Sequence, residues 1–176
     1  MKQIPFKRSL FIALCLVCGF SQAADPKVIG EFNDSTAYVY MEGKNKVCYM
    51  VSKPKKEEGN YTKRGSVYAL LTHRPAENSK NVFSFMAGYP LKKESEVTVS
   101  IGNQNFNFEE AKQYQIDKTA WAQDSDTDNK IANAIRNGSA LIVKGVSARD
   151  TATTDTFGLK GSSSAYGAIS KECGIK

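Results

Sequence analysis

The sequence is short of the side chains on which most enzymes rely. A single histidine, His73, stands among 176 residues. A histidine-built zinc centre is therefore excluded, and any Ser/His/acid arrangement would have to form around that one position. No nucleophile elbow surrounds any serine, and Gly158, Gly161 and Gly167 are not followed by the Gly-Lys-Ser/Thr of a phosphate loop. No internal repeat or long linker divides the chain. Past residue 23, no stretch approaches the ~20 apolar residues that a membrane-crossing helix requires. Charge of one sign is also scarce. Of the net +6, Lys2, Lys7 and Arg8 supply three, so the chain from residue 24 onward carries only +3. That balance speaks against nucleic acid, whose binders show a basic stripe.

What is present begins at the N-terminus. Those three cations precede an apolar and small-residue run from Ser9 to Phe20, and Ser21-Gln22-Ala23 follows. This is the pattern of a secretory signal peptide spanning residues 1–23. Val17 and Leu14 precede Cys18 and Cys15 where a lipoprotein signal carries Gly, Ala or Ser, so an ordinary signal is expected. Cleavage after Ala23 leaves a single exported domain, residues 24–176, with two of the four cysteines. In an oxidising compartment Cys48 and Cys173 are then expected to form one disulfide.

Alternation of apolar and polar residues predicts strands at 37–41 and 46–51 around the turn Glu42-Gly43-Lys44-Asn45, and further strands at 66–73, 81–87, 140–146 and 153–160. The strand at 66–73 is apolar on both faces and is expected to be central. Residues 96–101 and 104–108 form the clearest hairpin, joined by Gly102-Asn103. Helices are expected at 127–137, with Gly138 as a left-handed C-cap, and at 162–173, started by serine N-caps. Ala165, Ile169 and Cys173 share one face of the second helix, which points the cysteine towards the strand that holds Cys48. The fold class is therefore mainly β: an antiparallel sandwich or partly open barrel with two short helices, one of them C-terminal.

Candidate chemistry is thin. His73 continues the apolar period of its strand and is expected to bond to backbone rather than act as a base. Asp124, Asp126 and Asp128 resemble the start of a calcium loop, but Asn129 and Ile135 replace its glycine and glutamate. They are expected to cap a helix. No metal or cofactor is expected. Asn33, Asn60 and Asn137 open Asn-x-Ser/Thr triplets, which matter only in a eukaryotic secretory pathway. The basic stretch 53–64, with Pro54, Gly59, Asn60 and two glutamates, reads as a solvated loop.

Taken in order, Lys46-Val47-Cys48-Tyr49, Thr72-His73-Arg74-Pro75, Gly88-Tyr89-Pro90, Ala120-Trp121, residues 144–149 and 155–161, and a terminal helix ending in Cys173 make the chain resemble the invasion-associated locus B family of exported bacterial proteins. The resemblance implies a β-rich envelope or secreted protein associated with host-cell contact, and it brings no catalytic set. Members often carry a Trp before the first hairpin, and Arg-Gly-Thr where this chain has Arg149-Asp150-Thr151; the aspartate puts a left-handed turn there in question. Among the shared residues, Asp155 is expected to satisfy turn amides at a strand start.

The resulting expectation is a non-enzymatic protein, periplasmic or secreted and open to outer-membrane association, that binds a protein or an envelope or host-surface component through loops. The alternative is a periplasmic carrier of small molecules or lipids inside a barrel. Candidate binding residues are Lys53, Lys55, Lys56, Tyr61, Arg64, Arg149 and Asp150, with the lysines and Arg64 steering association. Partner identity and oligomeric state are not legible.

Overall fold

The structure is a computed structural model that describes residues 25–108, 115–116 and 118–176; the expected signal peptide lies outside the described residues. Among the described residues, twelve strands form two antiparallel sheets that do not close into a barrel. The larger orders β1 (Lys27–Phe32), β2 (Ser35–Glu42), β3 (Asn45–Ser52), β5 (Tyr68–Arg74), β6 (Ser79–Met86), β10 (Thr119–Trp121) and β9 (Gln115–Ile116). The smaller orders β4 (Lys56–Gly59), β12 (Ala152–Gly158), β11 (Ala140–Val146), β7 (Thr98–Ile101) and β8 (Gln104–Asn107). The expected fold class therefore holds as a sandwich. Strand β5 is central, between β3 and β6, because both of its faces are covered or half-covered.

Alternation drives the packing. Ala69, Leu71, Phe83 and Phe85 point inward from β5 and β6, and Val99, Ile101, Leu141, Val143 and Phe157 from the other sheet. Phe85 meets Phe157 edge to face at 6.4 Å, and Phe83 meets Phe108 at 6.2 Å. Four phenylalanines with no exposure, Phe83, Phe85, Phe108 and Phe157, each contribute about 2–3 kcal/mol of burial. They fill the space between the sheets where a carrier would need a lumen.

Helix α1 (Ser125–Asn137) packs against β6, β7 and β8, while α2 (Ser162–Cys173) lies across β1, β2, β3 and β5. Ala165, Ile169 and Cys173 are all buried, and Cys173 is bonded to Cys48, with Cα atoms 6.0 Å apart. The expected helix caps need correction. Gly138 is extended, with φ −87° and ψ 171°, not left-handed. Its glycine is required by packing, because a Cβ there would lie 2.7 Å from Ile101 Cγ2 and 2.9 Å from the Ala134 carbonyl. Helix α2 has no serine cap either. Gly161, at φ 86°, occupies the N-cap, and the Ser162 hydroxyl is buried beside Ser35, itself bonded to Ser52.

Candidate functional site

The most organised polar centre sits where the segment after β4, the segment after β6 and the turn after β11 meet. Its floor is an ion pair. Arg64 donates from both terminal nitrogens to the two carboxylate oxygens of Asp155, each at 2.7 Å, and from Nε to the Ala87 carbonyl at 2.7 Å. The Arg64 side chain is 3% exposed and that of Asp155 fully buried. The guanidinium lies 4.8 Å from the Tyr89 ring and 5.4 Å from that of Tyr61, so two aromatic rings contact the arginine. Burial alone would loosen the arginine proton; the bidentate bonds to Asp155 outweigh it and raise the pKa above the ordinary value. Tyr89 shares a 2.6 Å hydrogen bond with Thr153, and its phenol is pushed up chiefly by burial.

Two glycines let the strand ends approach. Gly65 N–H donates to the Gly88 carbonyl at 2.9 Å. Gly88 holds φ 73°, and a Cβ on it would lie 2.4 Å from the Gly65 carbonyl oxygen, so no other residue fits there without moving the backbone. The turn after β11 is held by Ser147, whose Oγ accepts from the N–H groups of Arg149 and Thr151. Ala148 N–H donates to the Pro90 carbonyl at 2.8 Å.

Above this floor opens a cleft of about 540 Å³ whose rim carries Lys63, Lys118 and Arg149. All three are exposed, and none has an acidic partner within ion-pair distance among the described residues. Among the described residues, aspartate and glutamate are absent from the cleft lining; Glu57, 3.8 Å from Arg64, lies outside it. The arrangement is a concave, positively charged recess with tyrosine, asparagine and threonine in its walls. Such a recess can hold an anion, and among its described residues no nucleophile–base pair is formed.

Of the sequence candidates, Tyr61, Arg64 and Arg149 come together here and the others do not. Arg64 is not a solvated steering charge but a buried, paired one. Lys55 bonds Asp34 at 2.6 Å, Lys56 bonds Glu58 at 2.8 Å, and Lys53 lies over the Tyr68 ring. The stretch 53–64 is likewise no plain loop, since residues 56–59 form edge strand β4 against β12. Asp150 turns to Lys92. Its φ of 62° shows that aspartate adopts the left-handed turn after all. Asp155 lies mid-strand facing the arginine, not at a turn. Sequence reasoning included Lys63 in the candidate stretch 53–64 without singling it out, passed over Lys118, and treated Gly88, Tyr89 and Asp155 only as fold determinants. Three of the segments behind the resemblance meet at this one cleft.

A second polar cluster lies at the opposite end of β5. His73 Nδ1 accepts from the Asn81 N–H at 3.1 Å, where the β5–β6 register breaks. The imidazole thus replaces a backbone acceptor, as a structural histidine would, and Nε2 donates to Ser170 Oγ at 3.3 Å. Burial, with Lys80 nearby, holds its pKa down at about 4, so it is neutral. Asp124 caps α1 by accepting from the Thr127 N–H at 2.7 Å. Asp128 instead turns inward to accept from the Phe83 N–H at 2.8 Å; burial raises it to about 6, against that bond and with the help of Asp124. Among the described residues, no His/Cys/Asp/Glu group is placed to hold a metal.

The chain is thus a two-sheet sandwich with its C-terminal helix bonded to β3 and a cationic cleft at one end. The family model of the invasion associated locus B (IalB) protein matches residues 39–170, and the chain belongs to that family. No curated protein and no solved structure matches the chain.

Proposed function

We infer that the protein is a non-enzymatic binding factor of a bacterial envelope, exported and invasion-associated, that engages its partner through the cleft above Arg64 and Asp155. Family membership supports the invasion-associated setting. The Cys48–Cys173 disulfide fits export, and no described helix is long and apolar enough to cross a membrane. The observation that carries the reading is the convergence of Lys63, Lys118 and Arg149, three exposed cations from separate segments, on one recess. Fold alone would not locate function; a rigid floor under exposed loops is what supports choosing this cleft. The carrier reading needs a barrel interior, whereas the sheets are open and the space between them holds phenylalanine.

The test is capture of partners from envelope and host-membrane extracts by immobilised residues 24–176. The parent should retain a partner that Lys63→Gln/Arg149→Gln does not. Equal capture by both would place the contact elsewhere and sink the reading.

A further inference from the structure

Resting on that reading of the cleft, we propose that its ligand is an acidic saccharide, a sugar bearing carboxylate, sulfate or phosphate groups. The first argument is charge. Lys63 and Arg149 are exposed and have no acidic partner within ion-pair distance among the described residues, and no described residue of the lining is an acid. Arg64 is neutralised by Asp155 beneath them. The rim therefore presents positive charge over a floor in which Arg64 is already paired, with Asp155 and with Glu57 at 3.8 Å. A chain carrying only +3 beyond residue 23 attracts anions at such a place rather than over its whole surface.

The second argument is what the cleft lacks. Among the described residues, its lining holds no Leu, Ile, Val, Met, Phe or Trp. A peptide anchored at a hot spot buries an aromatic, aliphatic or arginine side chain in a fitted pocket, and an arginine would meet like charge here. Lipid chains would find no long or branched aliphatic side chain there; the apolar surface of the described lining includes the rings of Tyr61 and Tyr89 with Pro90 and Ala148. Hydroxyl-rich ligands suit the walls instead: Asn60, Thr62 and Thr151 offer amide and hydroxyl groups that make no side-chain hydrogen bond within the described protein. The Ser147 and Thr153 hydroxyls are already spent on Arg149, Thr151 and Tyr89. Tyr61 supplies one half-exposed ring for a sugar face. The volume, about 540 Å³, lies in the range of preformed small-ligand sites and suits a few sugar residues rather than a folded partner.

Titration calorimetry of residues 24–176 against oligogalacturonate (carboxylate), a heparin-derived hexasaccharide (sulfate), a phosphorylated mannan oligosaccharide (phosphate) and neutral maltohexaose tests this. At least one acidic saccharide should bind saturably, more weakly as salt is raised, and maltohexaose should not. The acidic group preferred identifies the source. Lys63→Gln and Arg149→Gln should each weaken binding about tenfold. Lys53→Gln/Lys56→Gln, outside the cleft, should leave it unchanged. Both sets of variants should melt with the parent, so a lost affinity is not a lost fold. The proposal is overturned if no acidic saccharide binds, if maltohexaose binds equally, or if the outside pair weakens binding as much as the cleft pair. If no saccharide binds while extract capture still depends on Lys63 and Arg149, the cleft remains a binding site and only its ligand class is wrong.

Discussion

Removing one partner of the Arg64–Asp155 pair should be among the costliest single changes this domain can suffer. Both side chains are out of water, at 3% and 0% exposure, so truncation strands a charge instead of returning it to solvent. Asp155→Asn keeps the shape but removes the countercharge from a guanidinium held by three 2.7 Å hydrogen bonds. Glu57, 3.8 Å away and 40% exposed, can replace it only weakly. The expected loss is about 3–5 kcal/mol, against 0–1 for an exposed pair. Arg64→Met should cost a similar amount by stranding Asp155. Because desolvation offsets most of the pair's attraction, Arg64→Met/Asp155→Leu should lose far less than the sum of the single changes, with a coupling of about 3 kcal/mol or more. Urea unfolding of residues 24–176 at pH 7, followed by Trp121 fluorescence and circular dichroism, reads these differences as midpoint shifts of roughly 1–3 M. Single changes costing under about 1 kcal/mol, or energies that simply add, would refute the reasoning.

Three further outcomes follow from the same coordinates. Replacing both Cys48 and Cys173 by alanine should cost up to about 4–5 kcal/mol, since the bridge spans 125 residues; unchanged urea midpoints, or free thiols at both positions in native material, would contradict this. His73 and Asp128 should pull stability in opposite directions with pH. The folded state declines a proton at His73 from the ordinary 6.5 down to about 4, so acid destabilises it there, whereas it takes one up at Asp128 near 6, above the ordinary 3.8, so acid stabilises it. Asp128→Asn, which still accepts from Phe83 N–H, should unmask the histidine and lose up to about 3 kcal/mol more than the parent between pH 6.5 and 4; parallel profiles would dismiss this. Asp124→Ala should cost about 1 kcal/mol as a lost helix cap, while millimolar calcium should leave the parent's melting temperature unmoved; a saturable rise would reinstate the cation site.

Much of the architecture was legible because it is written locally. Strict alternation in residues 97–101, the Gly102-Asn103 turn and the apolar stripe of α2 each need only a few neighbours to be read, and each stands where expected. Strand β1 was missed because, as an edge strand, its residues are mostly exposed or half-exposed and carry no clean period of two. Strand β4, Lys-Glu-Glu-Gly and wholly exposed, looks like a solvated loop because its order comes from backbone pairing with β12. Charged side chains on an edge also discourage further pairing, so the composition that hid the strand suits its position.

The site was less legible for a different reason: its parts take their meaning from partners far away in the chain. Asp155 among threonines looks like a turn residue until Arg64, 91 positions earlier, is found against it. Arg64 looks like one more cation in a basic stretch until its burial separates it from Lys55 and Lys56, which are paired elsewhere. Net charge carries no such information, since the paired and the free lysines count alike. Three of the resemblance segments border this cleft, yet they read as determinants of fold because glycine, proline and tyrosine all have structural uses there. They do have them: Gly88 permits the close approach to Gly65, and Tyr89 packs against the guanidinium. The same contacts that close the sandwich at this end also fix the floor on which Lys63 and Arg149 stand. In this protein the structural and the binding readings of those residues are one reading, and only the exposed cations above them separate a site from a well-packed corner.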